Sequence, residues 1–406
     1  MNAISFYFQV HQPYRIREYG LFDMGQNHNY FDYEKNLEIL NKVSEKCYLP
    51  ANATFLNLIK EYNGKFKIAY SLSGVFMEQL ETWRPDVLDS FRKLVDTGCV
   101  EILAETYYHS LSFLYSKSEF NKQVKKHEET IERLFDVKPK VFRNTELIYN
   151  NELAHHVKEM GYKGVIAEGV DWILNGRSPN FLYHPQGIPE FPILLKNYKL
   201  SDDIAFRFSN KGWTDHPLSA EKFASWVHAT AGNGDVVNLF MDYETFGEHQ
   251  WADTGIFQFL EHLPEMIFRH PDFNFLTPSE VIDVFEIRGE YDVQQITSWA
   301  DLERDLSAWR SNSMQHETLN RIFNLEQSVM QANSDKLLDD WRKLTTSDHF
   351  YYMCTKYWSD GDVHKYFSPY DSPSDAYIYF INAINDLEYR LERKYQSNFQ
   401  PVYNAK

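Results

Sequence analysis

Short β-rich runs that alternate with helical stretches constrain this chain more than any other feature. The runs cover residues 4–10, 66–71, 100–104, 141–144, 164–167, 204–208 and 236–241, and helical patterning is clearest at 119–134, 151–160 and 220–230. Such alternation is the mark of a parallel sheet, whose neighbouring strands can be joined only through crossovers. Seven units favour a closed or nearly closed barrel over an open sheet. Several runs end in polar groups: His11-Gln12, Ser73, Glu105, Glu146, Glu168 and Asp242. Ligands of α/β folds bind at the carboxyl ends of the strands, so these groups are expected to converge.

Beyond about Gly289 the β-rich runs stop, and helical patterning takes over at 301–309, 314–332, 335–344 and 374–394. The expected organisation is a catalytic barrel over residues 1–290 and a helical region over 291–406 that completes the cleft. Segments 346–353 (TSDHFYYM) and 356–358 (KYW) concentrate polar and aromatic groups that suit either sugar contact or a bundle seam. In the loop 367–374, Ser372 ahead of Pro373, or Ser374 itself, is placed to cap the last helix.

Acidic residues outnumber basic ones 58 to 41, a formal charge of −17. Nucleic acid and anionic membrane are therefore disfavoured partners, and a neutral substrate is the easier match. Aromatic residues make up 16% of the chain, which suits stacking on sugar faces. Cys47, Cys99 and Cys354 show no metal or disulfide spacing. The N-terminus lacks a secretory pattern, and no apolar run approaches the roughly 20 residues of a membrane span, so a soluble cytoplasmic protein is expected.

Four segments carry chemistry. His11-Gln12-Pro13-Tyr14-Arg15 follows the first run with groups able to hold hydroxyls. Residues 98–111 lead through Glu101 and Glu105 to His109, and residues 141–152 (VFRNTELIYNNE) place Glu146 between a strand and a helix. The densest segment, 236–251, runs from an apolar strand into Asp242, Glu244, Glu248, His249 and Trp251. Clustered acids at a strand end repel and shift one another's pKa, a costly arrangement unless the charges are used. Two carboxylates, one ionised and one protonated, are the minimum equipment for retaining glycoside hydrolysis, and Glu146 with Asp242 can supply it. Glu244 rivals Asp242 as the acid, and Glu244 or Glu248 is expected to keep Asp242 protonated. Trp172, Trp213 and Trp251 are candidate sugar platforms.

In their order and spacing these four segments resemble glycoside hydrolase family 57, which includes α-amylases, 4-α-glucanotransferases, amylopullulanases and branching enzymes. The resemblance spans about 290 residues, with TPSEVI at 277–282 similar to a fifth, weaker motif. It implies an incomplete seven-stranded (β/α) barrel followed by a helical region, retention of the α-configuration, and neither catalytic metal nor cofactor. The implied substrate is α-1,4-linked glucan or maltooligosaccharide. Glu146 in NTELIY matches the nucleophile and Asp242 in DYETFG the proton donor. His11 and His109 match histidines near the glycone site, and Gln12, Tyr149, Glu244, His249 and the three tryptophans complete the expected substrate contacts. The family's glucanotransferases often carry Trp-x-Pro before the nucleophile, whereas Arg143-Asn144-Thr145 stands here. That favours the α-amylase branch, with glucanotransferase action or a low-turnover glycan-binding paralogue as alternatives. A metal-dependent deacetylase or mannosidase needs Asp/His ligands after a barrel strand, and neither His155-His156 nor His270-Pro271-Asp272 is so placed.

Overall fold

The computed structural model describes residues 1–356 and 363–398. Two compact units emerge: one from Met1–Gln12, Leu37–Tyr107 and Lys122–Trp299, the other from Pro13–Asn36, Tyr108–Asn121 and the chain from Ala300 onward.

The first unit is built on strands β1 (Asn2–Val10), β2 (Ile68–Leu72), β3 (Val100–Ile102), β4 (Val141–Arg143), β5 (Gly164–Glu168), β6 (Leu182–His184), β7 (Ile193–Lys196), β8 (Val236–Asp242), β9 (Phe273–Phe275) and β10 (Ile287–Glu290). Parallel ladders run β8-β1-β2-β3 and β4-β5-β7. Ala104 stitches β3 to β4: its N–H donates to Val141 O at 3.0 Å, and its carbonyl accepts from Arg143 N at 2.8 Å. Between β7 and β8 the ladder gives way to Asn238, whose side chain donates to Leu195 O at 2.9 Å while its carbonyl accepts from Asn197 N at 2.9 Å. The result is an incomplete ring of seven strands, β1, β2, β3, β4, β5, β7 and β8.

Alternation along each strand explains both faces. Ile4, Phe6, Phe8 and Val10 of β1, with Val237, Leu239 and Met241 of β8, pack outward against the helices. Ala3, Tyr7, Ala69, Leu103, Val141, Ile166, Leu194, Val236 and Phe240 fill the interior.

One expected strand is a helix. Residues 204 and 205 close the helix Tyr198–Ala205, capped at its start by the Asn197 side chain accepting from Leu200 N at 3.1 Å, residues 206–208 turn out of it, and the barrel strand is β7 instead. A short apolar run such as Ile204-Ala205-Phe206 carries no period long enough to separate helix from strand. The helices Lys117–Phe135, Asn151–Glu159 and Ala220–His228 stand where expected.

In the second unit the helices Ser313–Asn324, Glu326–Gln331, Asp335–Leu344, Ser347–Tyr351 and Pro373–Asn398 enclose buried Trp309 and Trp341. Ser372 is the cap of the last, its Oγ accepting from Asp375 N at 3.2 Å. Residues 301–309 are largely turns, with helix only at Ser307–Arg310. Asp301 and Arg304 adopt positive φ, which breaks the helix expected there. From the 346–353 segment, His349 and Phe350 are buried against Phe380. Of the KYW segment, Lys356 pairs with Asp301 at 3.1 Å, and Tyr357 and Trp358 lie outside the described residues. No helix among the described residues is long and apolar enough to cross a membrane.

Candidate active site

The inward-facing register of the barrel turns polar at its carboxyl end. Continuing the interior positions toward the strand ends gives Gln9, Ser71, Glu105, Arg143, Glu168, Lys196 and Asp242, one residue from each strand of the ring or the turn just past it. These groups are connected. Ser71 Oγ and Gln9 Nε2 donate to Glu105 Oε1 at 2.7 and 3.2 Å, Arg143 Nη1 lies 3.6 Å from Glu105 Oε2, and Lys196 Nζ lies 3.6 Å from Glu168 and 3.3 Å from Asp202. Gln9 stands opposite Asp242 in the β1–β8 register. Burial pushes the Tyr7 hydroxyl well above the ordinary phenol range, and Arg143, Glu105 and Asp242 all act on it electrostatically, so these charges share one neighbourhood.

Glu146 sits in a strained turn just after β4. Its φ of 58° and that of Leu147, 49°, are left-handed, a conformation that costs a non-glycine residue about 1–3 kcal/mol and persists where the surroundings impose it. The imposing partner is the segment ending at Trp299. Tyr149 and Thr297 exchange backbone hydrogen bonds at 2.9 Å, and Trp299 N donates to Glu146 O at 3.2 Å. The Trp299 indole N–H then donates to Glu146 Oε2 at 2.9 Å. Two buried cations lie over that indole, Arg143 at 5.2 Å and Lys196 at 5.5 Å from its centre. Arg143 is fully buried, and among the described residues none of its guanidinium nitrogens meets a hydrogen-bond partner.

On the other side of the ring, partly buried Asp242 ends β8. Strand alternation stops there, because Tyr243–Thr245 is a turn of 3-10 helix, and Glu244 meets Tyr48 at the edge of the outer core. Glu244 is buried, accepts from the Tyr48 hydroxyl, and receives Gln12 Nε2 at 3.4 Å. Burial first, and then the charge of Asp242, push its carboxyl up to about 8. Tyr48 comes from the π-helical turn Ser44–Tyr48, and Gly247 packs on that turn. A Cβ at Gly247 would stand 1.9 Å from Lys46 O, and its φ is 117°, so only glycine fits. Glu248 pairs with Lys42 at 2.6 Å and Lys46 at 3.7 Å. Burial lowers the His249 imidazole to about 4, leaving it neutral at ordinary pH.

His11 Nδ1 meets Ser73 Oγ at 2.6 Å, and the Gln12 carbonyl accepts from Gln79 at 2.7 Å. Tyr149 is buried behind the Glu146 turn, its ring 6.2 Å from that of Tyr291. Trp251 is 58% exposed with Lys46 over its ring, and Trp172 is 59% exposed on the short helix Asp171–Leu174. Trp213 packs against the outer core, beside Trp226. His109 belongs to the second unit, where its carbonyl accepts from Ser347 N at 2.9 Å. Reading the sequence missed Trp299, Lys196 and Tyr48. Strand parity points to Lys196 once β7 is recognised, whereas nothing local to Trp299 or Tyr48 marks them.

Residues 5–294 match the model of glycosyl hydrolase family 57. A Methanocaldococcus jannaschii protein provisionally named an alpha-amylase is 45% identical over 406 residues, covering 96% of this chain and 85% of its own length. A Pyrococcus furiosus alpha-amylase is 30% identical over 62% of this chain, which spans only 37% of that protein. In fold, the chain superposes on a branching enzyme of this family from Pyrococcus horikoshii with a TM-score of 0.72 and 17% identity, covering 99% of this chain and 92% of that one. With the family match extending over most of the length and a relative this similar along nearly all of it, the chain belongs to glycosyl hydrolase family 57.

Proposed function

We propose that this enzyme hydrolyses α-1,4-linked glucan or maltooligosaccharides with retention, Glu146 forming a covalent glycosyl-enzyme and Asp242 acting as acid and then base. The observation that carries this reading is topological. Glu146 follows β4 and Asp242 ends β8, three steps apart one way round the ring of seven and four the other, so the two carboxylates belong to opposite walls of one mouth. Their surroundings differ in the required sense. Glu146 has an indole N–H donor, and two cations lie over that same indole, surroundings that favour the ionised form, while Asp242 and Glu244 form a coupled pair of carboxyls that holds one proton between them more readily than an isolated carboxyl would.

In the first step a Glu146 oxygen attacks the anomeric carbon as the glycosidic C–O bond breaks, and Asp242 gives its proton to the departing oxygen. In the second, Asp242 takes a proton from water, the hydroxide oxygen bonds to the anomeric carbon, and Glu146 leaves as carboxylate. The glucan substrate rests on the names of the relatives. Cys47 and Cys99, free and buried thiols, suit work in the reducing cytoplasm.

The raised carboxyl of Glu244 supports a second reading of the acid, in which its proton is the one delivered. Incubation with maltooligosaccharides and product chromatography tests the activity: hydrolysis yields shorter chains with new reducing ends, whereas longer products with no new reducing ends mark transfer.

A further inference from the structure

The helix Tyr198–Ala205 has two working faces. Toward the barrel, Ser201 Oγ accepts from Phe240 N at 3.2 Å and Asp202 pairs with Lys196. The opposite face borders a pocket of about 430 Å³ lined by Lys199, Asp203, Arg207, Trp213, Asp215 and Trp226. That volume lies at the lower end of the ~300–1,000 Å³ of small-molecule sites. Trp213 and Trp226 pack on the outer core formed by the outward residues of β1 and β8, so the pocket opens in the helical layer and not in the barrel mouth.

The lining has a recognisable chemistry. The two indoles meet edge to face, centres 6.0 Å apart at 72°, and both are partly exposed. Around them Asp203 accepts from Arg207 Nε at 2.6 Å, and Asp215 pairs with Lys222 at 3.1 Å, while Arg207 and Lys222 lie 5.8 and 5.6 Å from the centres of Trp213 and Trp226. The cations Lys199, Arg207 and the adjoining Lys222 are balanced by Asp171, which pairs with Lys199 at 3.5 Å, and by Asp203 and Asp215, so the wall with its paired neighbours is neutral as a whole. Phosphate or a polyanion finds no excess positive charge there, and a purely apolar ligand would strand the ionised groups. A sugar ring fits both requirements, with an apolar face for indole and a rim of hydroxyls for carboxylate and guanidinium.

We propose that this pocket is a second, non-catalytic carbohydrate site that takes a short stretch of an α-glucan chain outside the barrel. The ligand class rests on the glucan reading above. The test is native electrophoresis through gels with and without soluble starch, run on the parent chain, Trp213→Ala and Asp215→Asn, alongside turnover of a short chromogenic maltooligosaccharide. Starch retards the parent. Loss of one stacking platform weakens the apparent affinity of Trp213→Ala about tenfold. Asp215→Asn, a conservative change at a partly exposed position, also loses affinity while keeping the parent's turnover of the short substrate. Equal retardation of the parent and Asp215→Asn overturns the site, and so does a fall in short-substrate turnover parallel to the loss of retardation. Turnover that persists while retardation is equal leaves the catalytic reading standing. Absence of turnover on every glucan by the parent chain removes the catalytic reading instead.

Discussion

Trp299 holds Glu146 twice, by its backbone N–H to the Glu146 carbonyl at 3.2 Å and by its indole N–H to the Glu146 carboxylate at 2.9 Å. The first bond helps impose the left-handed turn, and the second stabilises the ionised carboxylate. Trp299→Phe keeps a ring in place and removes only the side-chain donor. Hydrogen bonds to charged groups contribute about 1.5–3 kcal/mol, so turnover is expected to fall roughly ten- to a hundredfold. A packing defect alone leaves the pH profile in place, whereas loss of this donor moves its acidic limb to higher pH.

Glu244 links stability to pH. Its folded carboxyl titrates near 8, above the unfolded value of 4.5, so its contribution is fully present below about 4.5 and is lost as pH rises through 8. Glu244→Gln removes that dependence, and thermal midpoints measured from pH 4 to 9 are expected to fall less steeply in the variant. The same variant separates the two acids. Turnover near the parent's keeps the role at Asp242, and a loss of several orders of magnitude moves it to Glu244.

Arg143 and Glu105 form a buried ion pair at 3.6 Å, and removal of one partner strands the other. Arg143→Met is expected to cost about 3–5 kcal/mol in denaturant unfolding. Adding Glu105→Gln to it should recover part of that loss, so a double-mutant cycle shows the two sites coupled and not additive.

Gly247→Ala drives a methyl into the Lys46 carbonyl and strains a φ of 117°. Because that turn delivers Tyr48 to Glu244, the variant is expected to lose more than about 1 kcal/mol of stability and to show a changed pH dependence. Thermal unfolding across pH checks both effects.

The legible part of the fold was its alternation. Long apolar runs such as 236–241 announce strands, and inward parity then places Asp242 in the mouth without further help. Residues 193–196 and 204–208 show where that logic fails: both are short and apolar, and only the Asn197 cap and the register with β5 decide between helix and strand. The site divides in the same way. Glu146 and Asp242 stand out because carboxylates at strand ends are unusual, but their partners arrive from a distance. Trp299 is 153 residues from Glu146 and Tyr48 is 196 from Glu244, separations that no local pattern reports.

The central claim is that Glu146 attacks while Asp242 handles the proton. The most direct measurement traps the intermediate with a fluorinated α-glucosyl fluoride, whose glycosylation is fast and hydrolysis slow, and maps the adduct by peptide mass spectrometry. The account predicts one glucosyl adduct on Glu146, present in the parent and absent from Glu146→Gln. An adduct on Glu105, Asp242 or Glu244, or one that survives in Glu146→Gln, contradicts it.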